Sequence, residues 1–432
     1  MQSAYIRSLN GPIPLTIPSA WQVLTIAAFK NESIQKNVST LATSALNHPT
    51  GSQGLEERLK STDRICILIE DLTRSSPKKI ILDIVLKKLR HIGISKKNIT
   101  IVIALGTHQP LSIEELENAF GKELISEYDF QNHDCHADDL VPIGRLVTGA
   151  MVKINRRVYE ADFRIGIGSI FPHPLNGFGG GGKILFPGVA DFKSIVEHHL
   201  KHSFRGGSYL GNITENSFHK EVTAMAKAGK LDFIVNSILD HEDRLFDIVC
   251  GDPVKAHRAG TAVCKRIISR SFTEKSDITI ISAFPYSAGP QIMKPLAPAS
   301  MITKPGGNII LYADCKVPLP EYYYNACKRF RGRYGNRLRQ AVLMNFANNQ
   351  SIIPKAPPEM NMSMAQIMLT LNDFSMILVS RDITAKQAKD LGCMVADDFD
   401  TAFALSAKQL EHPTVNIVPS GGVILPIIAK TV

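Results

Sequence analysis

The chain has 432 residues, 44% of them hydrophobic, and its 49 lysines and arginines outnumber 40 aspartates and glutamates, for a formal charge of +9. That is enough apolar residue to bury a sizeable core, and the length predicts two domains. The basic excess is spread along the chain and suits an anionic substrate; without an aromatic-interleaved basic patch or a helix-turn-helix signal, a nucleic-acid partner is not expected.

At the N-terminus, MQSAYIRSLNGPIPLTIP lacks a continuous apolar stretch, and no later run reaches membrane-spanning length. The expectation is a cytoplasmic protein that does not enter a membrane. Strands are predicted at Trp21 to Ala28 and Arg64 to Ile69, the second ending at Glu70-Asp71. A helix over Pro77 to Ile92 follows, then a strand over Ile99 to Leu105 and the turn Gly106-Thr107-His108-Gln109-Pro110. Strands alternating with helices indicate a mainly parallel sheet covered on both faces, where ligands collect at the carboxyl ends of strands. Asp71, Arg74 and His108 each stand just past a strand. Asn132 to Asp139 crowds two histidines, a cysteine and three aspartates together, but the ligand types are mixed and a short polar turn accounts for them.

The stretch that organises the chain is Ile165 to Lys201: a strand ending at Gly168, a loop carrying His173, the glycines Gly179, Gly180, Gly181 and Gly182, then Lys183 and a helix with His198 and His199. Glycines let a backbone approach a flat or anionic ligand closely. Gly177, Gly182 and Lys183 satisfy G-x-x-x-x-G-K, yet position 184 is Ile where a phosphate loop needs a Ser or Thr hydroxyl for magnesium, and no strand directly precedes Gly177. An ATP-dependent enzyme or a nucleotide-binding protein using this loop is the alternative reading; the enzyme predicts magnesium-dependent hydrolysis.

Helices near Asp191 to His202 and Glu215 to Ala228 and a strand near Phe233 to Ile238 follow. Asp252 and Pro253 open a helix to about Ser269 as N-cap and first helical residue, with His257 inside it read as a structural histidine. A domain boundary is placed near Ser271 to Ser276. Beyond it, strands at Ile278 to Ala283, Asn308 to Tyr312, Phe374 to Val379 and Val415 to Val418, with Gln291 and Lys294 in a loop, make a second, smaller α/β domain. The expected fold is thus two α/β domains with mainly parallel sheets, 1–272 and 273–432, and an active-site crevice between them. The basic helical region Pro318 to Met362, broken at Pro354 to Pro358, has no legible function. Seven cysteines, dispersed and without C-x-x-C, are read as buried free thiols.

Several motifs together resemble the nickel-pincer-nucleotide lactate racemase family: Glu70-Asp71-Leu72-Thr73-Arg74, Gly106-Thr107-His108, Phe171-Pro172-His173 through Lys183-Ile184-Leu185-Phe186-Pro187-Gly188, His199, Gly251-Asp252-Pro253-Val254 with Ala256-His257-Arg258-Ala259-Gly260, and Gln291 with Lys294. The resemblance implies a 2-hydroxyacid racemase or epimerase acting by transient hydride transfer to a nickel-pincer nucleotide, with cofactor-biosynthesis proteins as partners and a small anionic 2-hydroxy acid as substrate. It implies that Lys183 holds the nucleotide covalently, that Asp71, Thr73 and the glycines 179 to 182 fit it, and that His199 is the protein's nickel ligand. His108 and His173 become the acid/base pair, and Arg74, Gln291 and Lys294 the substrate-binding residues. From the residues alone the ligand stays open, since His198 and His202 at i, i+4 form an equally good metal pair on one helix face.

Two departures from the lactate-type pattern bear on the substrate. His173 is followed by Pro174-Leu175-Asn176 in place of an aromatic residue, and Trp21 is the sole tryptophan. A larger or differently substituted hydroxy acid is as well matched as lactate.

Overall fold

The computed structural model describes residues 4–28, 37–408 and 410–429. It divides into two compact units, one of residues 32–267 and one of residues 1–31 with 268–432. Both are α/β, as the alternation of apolar runs with amphipathic stretches requires.

In the unit of residues 32–267, a six-stranded sheet has the order Leu245–Gly251, Phe233–Leu239, Phe163–Ile170, Ile65–Glu70, Ile99–Ala104, Asp129–Asn132. Every neighbouring pair is parallel except the first, which is a hairpin-like antiparallel pair. The two central strands are apolar without alternation because helices cover both faces: Ile67, Leu68, Ile69, Ile165 and Ile170 are all buried. The helix Lys78–His91 lays Ile81, Leu82, Val85, Leu86 and Leu89 on the sheet at 3.6-residue spacing, with Lys79 and Lys87 outward. From Ile65–Glu70 the chain winds one way to Asp129–Asn132, then returns to place Phe163–Ile170 on the other side. The strand order thus reverses between those two central strands, and their carboxyl ends are the usual ligand position in such sheets.

The other unit holds a second six-stranded sheet, ordered Met394–Ala396, Ser375–Val379, Thr303–Tyr312, Ser276–Ser282, Thr414–Val418, Gln22–Ile26, all parallel. Here the expected division at 272/273 needs correction. The cut near that point lies at Ile267/Ile268, and the first 31 residues belong with the C-terminal sheet. The cause is the pairing of Gln22–Ile26 with Thr414–Val418: an apolar run announces a strand, but nothing local announces a partner some 390 residues away. Trp21 belongs to this unit's core, its ring 5.1 Å from that of Phe403. The basic region resolves into the helices Glu321–Tyr334 and Leu338–Ala347, followed by Pro358–Asp373.

All seven cysteines are free, and six of them are buried. No helix among the described residues is long and apolar enough to cross a membrane.

Candidate active site

Asp71 follows the strand Ile65–Glu70 and His108 follows Ile99–Ala104, so neighbouring parallel strands deliver both to one end of the sheet. The Asp71 carboxylate is tied on both oxygens. Oδ1 accepts from the backbone N–H of Thr73 at 2.9 Å and from its hydroxyl at 2.5 Å, and Oδ2 accepts from Nδ1–H of His108. Burial alone raises the carboxyl pKa, but the hydrogen bonds and charge of His108, with Thr73 and Arg74, outweigh it and hold the group well below the usual carboxylate range. With Nδ1–H committed to a carboxylate, His108 presents its Nε2 lone pair, the arrangement of a base whose imidazolium form is stabilised from behind. Asp71 therefore orients His108 in this chain, and Thr73 orients Asp71, contacts the motif alone did not reveal.

His173 ends a short strand paired with Gly177–Phe178, directly beyond Phe163–Ile170. The turn of this hairpin folds back on the ring: Nδ1 accepts from the backbone N–H of Leu175 at 3.2 Å and of Asn176 at 3.1 Å. The buried Asn176 locks the turn by donating from its side chain to the Phe178 carbonyl at 2.6 Å. Two donors on Nδ1 leave the proton of a neutral ring on Nε2, and Nε2 lies 3.1 Å from Nζ of Lys183. Burial, and secondarily the charge of Arg74, push the Lys183 ammonium down to about 7.

Lys183 sits in the 3₁₀ turn Gly181–Ile184, and the glycines before it have a different reason from the one their sequence implies. A Cβ on Gly179 would fall 2.5 Å from the Phe171 ring, on Gly180 2.8 Å from Ile170, on Gly181 2.6 Å from the His257 ring and on Gly182 2.8 Å from Ala226. The missing side chains thus make room for the protein's own wall. Two polar posts fix the run: Nε2–H of His257 donates to the Gly179 carbonyl, and Oδ1 of Asn236 accepts from the Gly181 N–H, both at 2.8 Å. His257 has the structural role read for it. Asn236 is not announced by any motif; its only local signal is that it and Ser237 are polar inside a buried, mainly apolar strand.

On the helix Phe192–His202, the three histidines have distinct roles. His198 is fully buried, donating from Nε2 to the Phe218 carbonyl at 3.3 Å. His202 is bound at both nitrogens, to the Ser217 hydroxyl and the Glu221 carboxylate, each at 2.9 Å. These two and Glu221 are the one trio among the described residues whose possible ligand atoms lie within 4.8 Å of one another, but the His202 contacts already serve to join this helix to Ser217–Ala228. His199 donates Nδ1–H to the Ile195 carbonyl at 2.8 Å, which turns the Nε2 lone pair outward from a partly exposed position. Burial, then the positive charge of Lys183, push its pKa down to about 3, so that lone pair is unprotonated across the physiological range. Phe218 packs between the parts, its ring centroid 6.5 Å from that of His173 and 5.0 Å from that of His199.

Arg74 stacks its guanidinium 4.3 Å from the Phe171 ring centre and is held by Nη1 donation to the Thr73 carbonyl at 2.9 Å. The loop it belongs to is braced from below, where Glu70 accepts from Ser76 at 2.6 Å and from the Ser169 N–H at 3.0 Å, and the buried Lys78 donates to the Arg74 carbonyl. Gln291 and Lys294 lie in the other unit, in and just after the 3₁₀ turn Gly289–Met293, with Lys294 Nζ 3.4 Å from Gln291 Oε1 and 4.6 Å from the Tyr286 ring centre. The segment 132–139 is a turn, in which His133 is buried with Nε2 2.9 Å from the Ala190 carbonyl.

Residues 10–209 match the family model described as the lactate racemase N-terminal domain. The lactate racemase of Lactiplantibacillus plantarum is 33% identical over 277 residues, 63% of this chain and 65% of that protein. That of Thermoanaerobacterium thermosaccharolyticum is 30% identical over 276 residues, 63% of this chain and 64% of that protein. Both matches span just under two thirds of the relative's own length. In structure, the lactate racemase apoprotein from T. thermosaccharolyticum superposes with a TM-score of 0.86 at 23% identity, covering 99% of this chain and 100% of the other. A crystal structure of a Thermotoga maritima protein superposes at 0.64 and 16% identity, covering 87% and 96%. At those identities the superpositions establish the fold.

Proposed function

We propose, from the match of residues 10–209 to the lactate racemase N-terminal domain, that the chain is a racemase or epimerase of a 2-hydroxy acid. The observation that carries the proposal is the pair of imidazoles, His108 backed by Asp71 and His173 against Lys183, just past the carboxyl ends of Ile99–Ala104 and Phe163–Ile170, the strands on either side of Ile65–Glu70. A phosphate-binding ATPase needs neither imidazole, and its magnesium hydroxyl is replaced by Ile184.

The residues present suit the nickel-pincer nucleotide implied by the resemblance. His199 would offer nickel an oriented, unprotonated imidazole nitrogen, and Lys183 would offer a buried amine for a covalent link. When bound, the group supplies the acceptor for the Cα hydride. The chain supplies the rest of the chemistry. Arg74, fixed against Phe171, forks onto the substrate carboxylate, and Gln291 and Lys294 are further carboxylate-binding residues in this proposal. His108 takes the hydroxyl proton, with Asp71 stabilising the resulting imidazolium; His173 is the acid/base group for the opposite configuration. Thr73 and the glycines 179 to 182 are proposed to line the nucleotide. Cofactor-biosynthesis proteins as partners and a cytoplasmic location belong to the same proposal. With Pro174-Leu175-Asn176 beyond His173 and Trp21 committed to a core, lactate has no preference over larger 2-hydroxy acids.

Nickel-loaded protein given single enantiomers of a panel of 2-hydroxy acids should bring at least one to a mixture of both configurations at Cα. Magnesium-dependent hydrolysis of ATP with no inversion across the panel would replace this reading by the alternative one. The ligand assignment has its own check. His199→Ala should lower nickel retained through gel filtration far more than His198→Ala or His202→Ala, because His199 is the partly exposed ring, whereas His198 is fully buried and His202 is bound at both nitrogens. Equal loss in His198→Ala would remove the assignment.

A further inference from the structure

The contact between His173 and Lys183 has a polarity. Both backbone N–H groups of the hairpin turn point at Nδ1 of His173, so the ring proton is on Nε2, and Nε2–H can donate to Lys183 only if the amine offers a lone pair. An ammonium at 3.1 Å would set N–H against N–H. The groups facing Lys183 are the guanidinium of Arg74 from the loop after Ile65–Glu70, the imidazoles of His198 and His199 from one helix, and that of His219 from the next; none is an anion. The imidazoles are neutral and the Phe218 ring face, 6.0 Å from Nζ, offers only a weak cation contact, so burial first and the charge of Arg74 second lower the Lys183 pKa to about 7.

We infer that the unloaded protein keeps Lys183 as a neutral amine accepting Nε2–H of His173, and that acylation of this nitrogen reverses the polarity of the contact and expels His173 from it. An amide-type nitrogen has delocalised its lone pair and keeps only an N–H to donate, so a donor meets a donor. The imidazole must turn away or move its proton to Nδ1. Attachment thereby converts His173 from a partner of the anchor into a group available to substrate, and an unloaded chain holds its second acid/base residue out of use. The inference rests on the proposed function for the meaning of that release, but the two contacts themselves are independent of it.

The test uses the full-length protein made without cofactor and acetic anhydride as the probe. The Lys183 nitrogen attacks one carbonyl carbon, a C–N bond forms as the C–O bond to acetate breaks, and the proton leaves with the acetate. Trace labelling across pH, read by peptide mass spectrometry, should give Lys183 a midpoint near 7, with exposed lysines near their ordinary 10.5. In ¹⁵N-histidine spectra, His173 should show the Nε2–H tautomer before acetylation and lose either that tautomer or its protection from exchange afterwards. Lys183→Met, which removes the acceptor without any reagent, should give the acetylated signature directly. A Lys183 that titrates with the exposed lysines, a His173 that is cationic or Nδ1-protonated at neutral pH, or a spectrum unchanged by both acetylation and Lys183→Met would overturn the inference. None of these readouts uses catalysis: failure here leaves the racemase reading standing, and absence of inversion by loaded enzyme leaves the contact standing.

Discussion

Lys183→Ala and Lys183→Arg should each be isolated without a covalent nucleotide adduct, with nickel at background and with no measurable racemisation, from cells in which the parent chain is loaded. In the proposed attachment the amine is the nucleophile, and its setting suits that role: its nitrogen is largely buried, no carboxylate is among the groups that shift it, and the His173 ring lies 3.1 Å away. Arginine keeps about the length but stays charged and has no lone pair to give, so it should fail as completely as alanine. Both variants should remain folded, since the loop is positioned by His257 and Asn236 and by the wall its glycines fit, none of which involves the lysine side chain. Mass spectrometry of the peptide containing residue 183, beside nickel content and far-ultraviolet circular dichroism, checks this. Nickel-containing, active protein with an unmodified Lys183 would remove the covalent assignment.

The second large effect is expected at the imidazoles. His108→Ala and His173→Ala, at matched nickel content, should each slow racemisation by about 10² to 10⁴, the usual cost of losing a positioned acid/base group. Both directions should suffer, because one ring removes the hydroxyl proton and the other returns it within each turnover. The double variant should be little worse than the weaker single one, since groups acting in series are not additive. Asp71→Asn should fall on the His108 side, keeping a hydrogen-bond partner but losing the charge that stabilises its imidazolium. Near-parental rates both ways in His173→Ala would reduce that residue to a hairpin lock.

Much of this architecture was readable in the residues. Apolar runs such as Ile65–Ile69 and Ile278–Ser282 gave strands, the amphipathic spacing after Pro77 gave a helix, and Asp252 caps its helix by accepting from Val254 and Lys255 at 3.0 and 2.8 Å. What escaped depends on groups distant in sequence. The edge strand Gln22–Ile26 finds its partner only in three dimensions, and the antiparallel strand Leu245–Gly251 is half buried and carries no clean alternation. At the site, position after a strand drew attention to Asp71, but that its carboxylate faces His108, 37 residues on, is a property of sheet order. The glycine run suggested close approach of a ligand, and the structure adds that side chains there would meet Phe171, His257 and Ala226. Helix periodicity could not separate His198 from His199; in the structure they differ in burial and in partner, His198 facing the Phe218 carbonyl and His199 that of Ile195.

The central claim is inversion of a 2-hydroxy acid with the Cα hydrogen leaving and returning as hydride, and it is tested most directly by following that hydrogen. Nickel-loaded protein is incubated in ordinary water with one enantiomer of a convertible 2-hydroxy acid carrying deuterium at Cα, and the product of opposite configuration is separated and weighed by mass spectrometry. The account predicts that the inverted product retains its deuterium, since His108 and His173 handle only the hydroxyl proton. Inverted product with its deuterium washed out to solvent hydrogen would contradict it, placing a histidine at Cα instead.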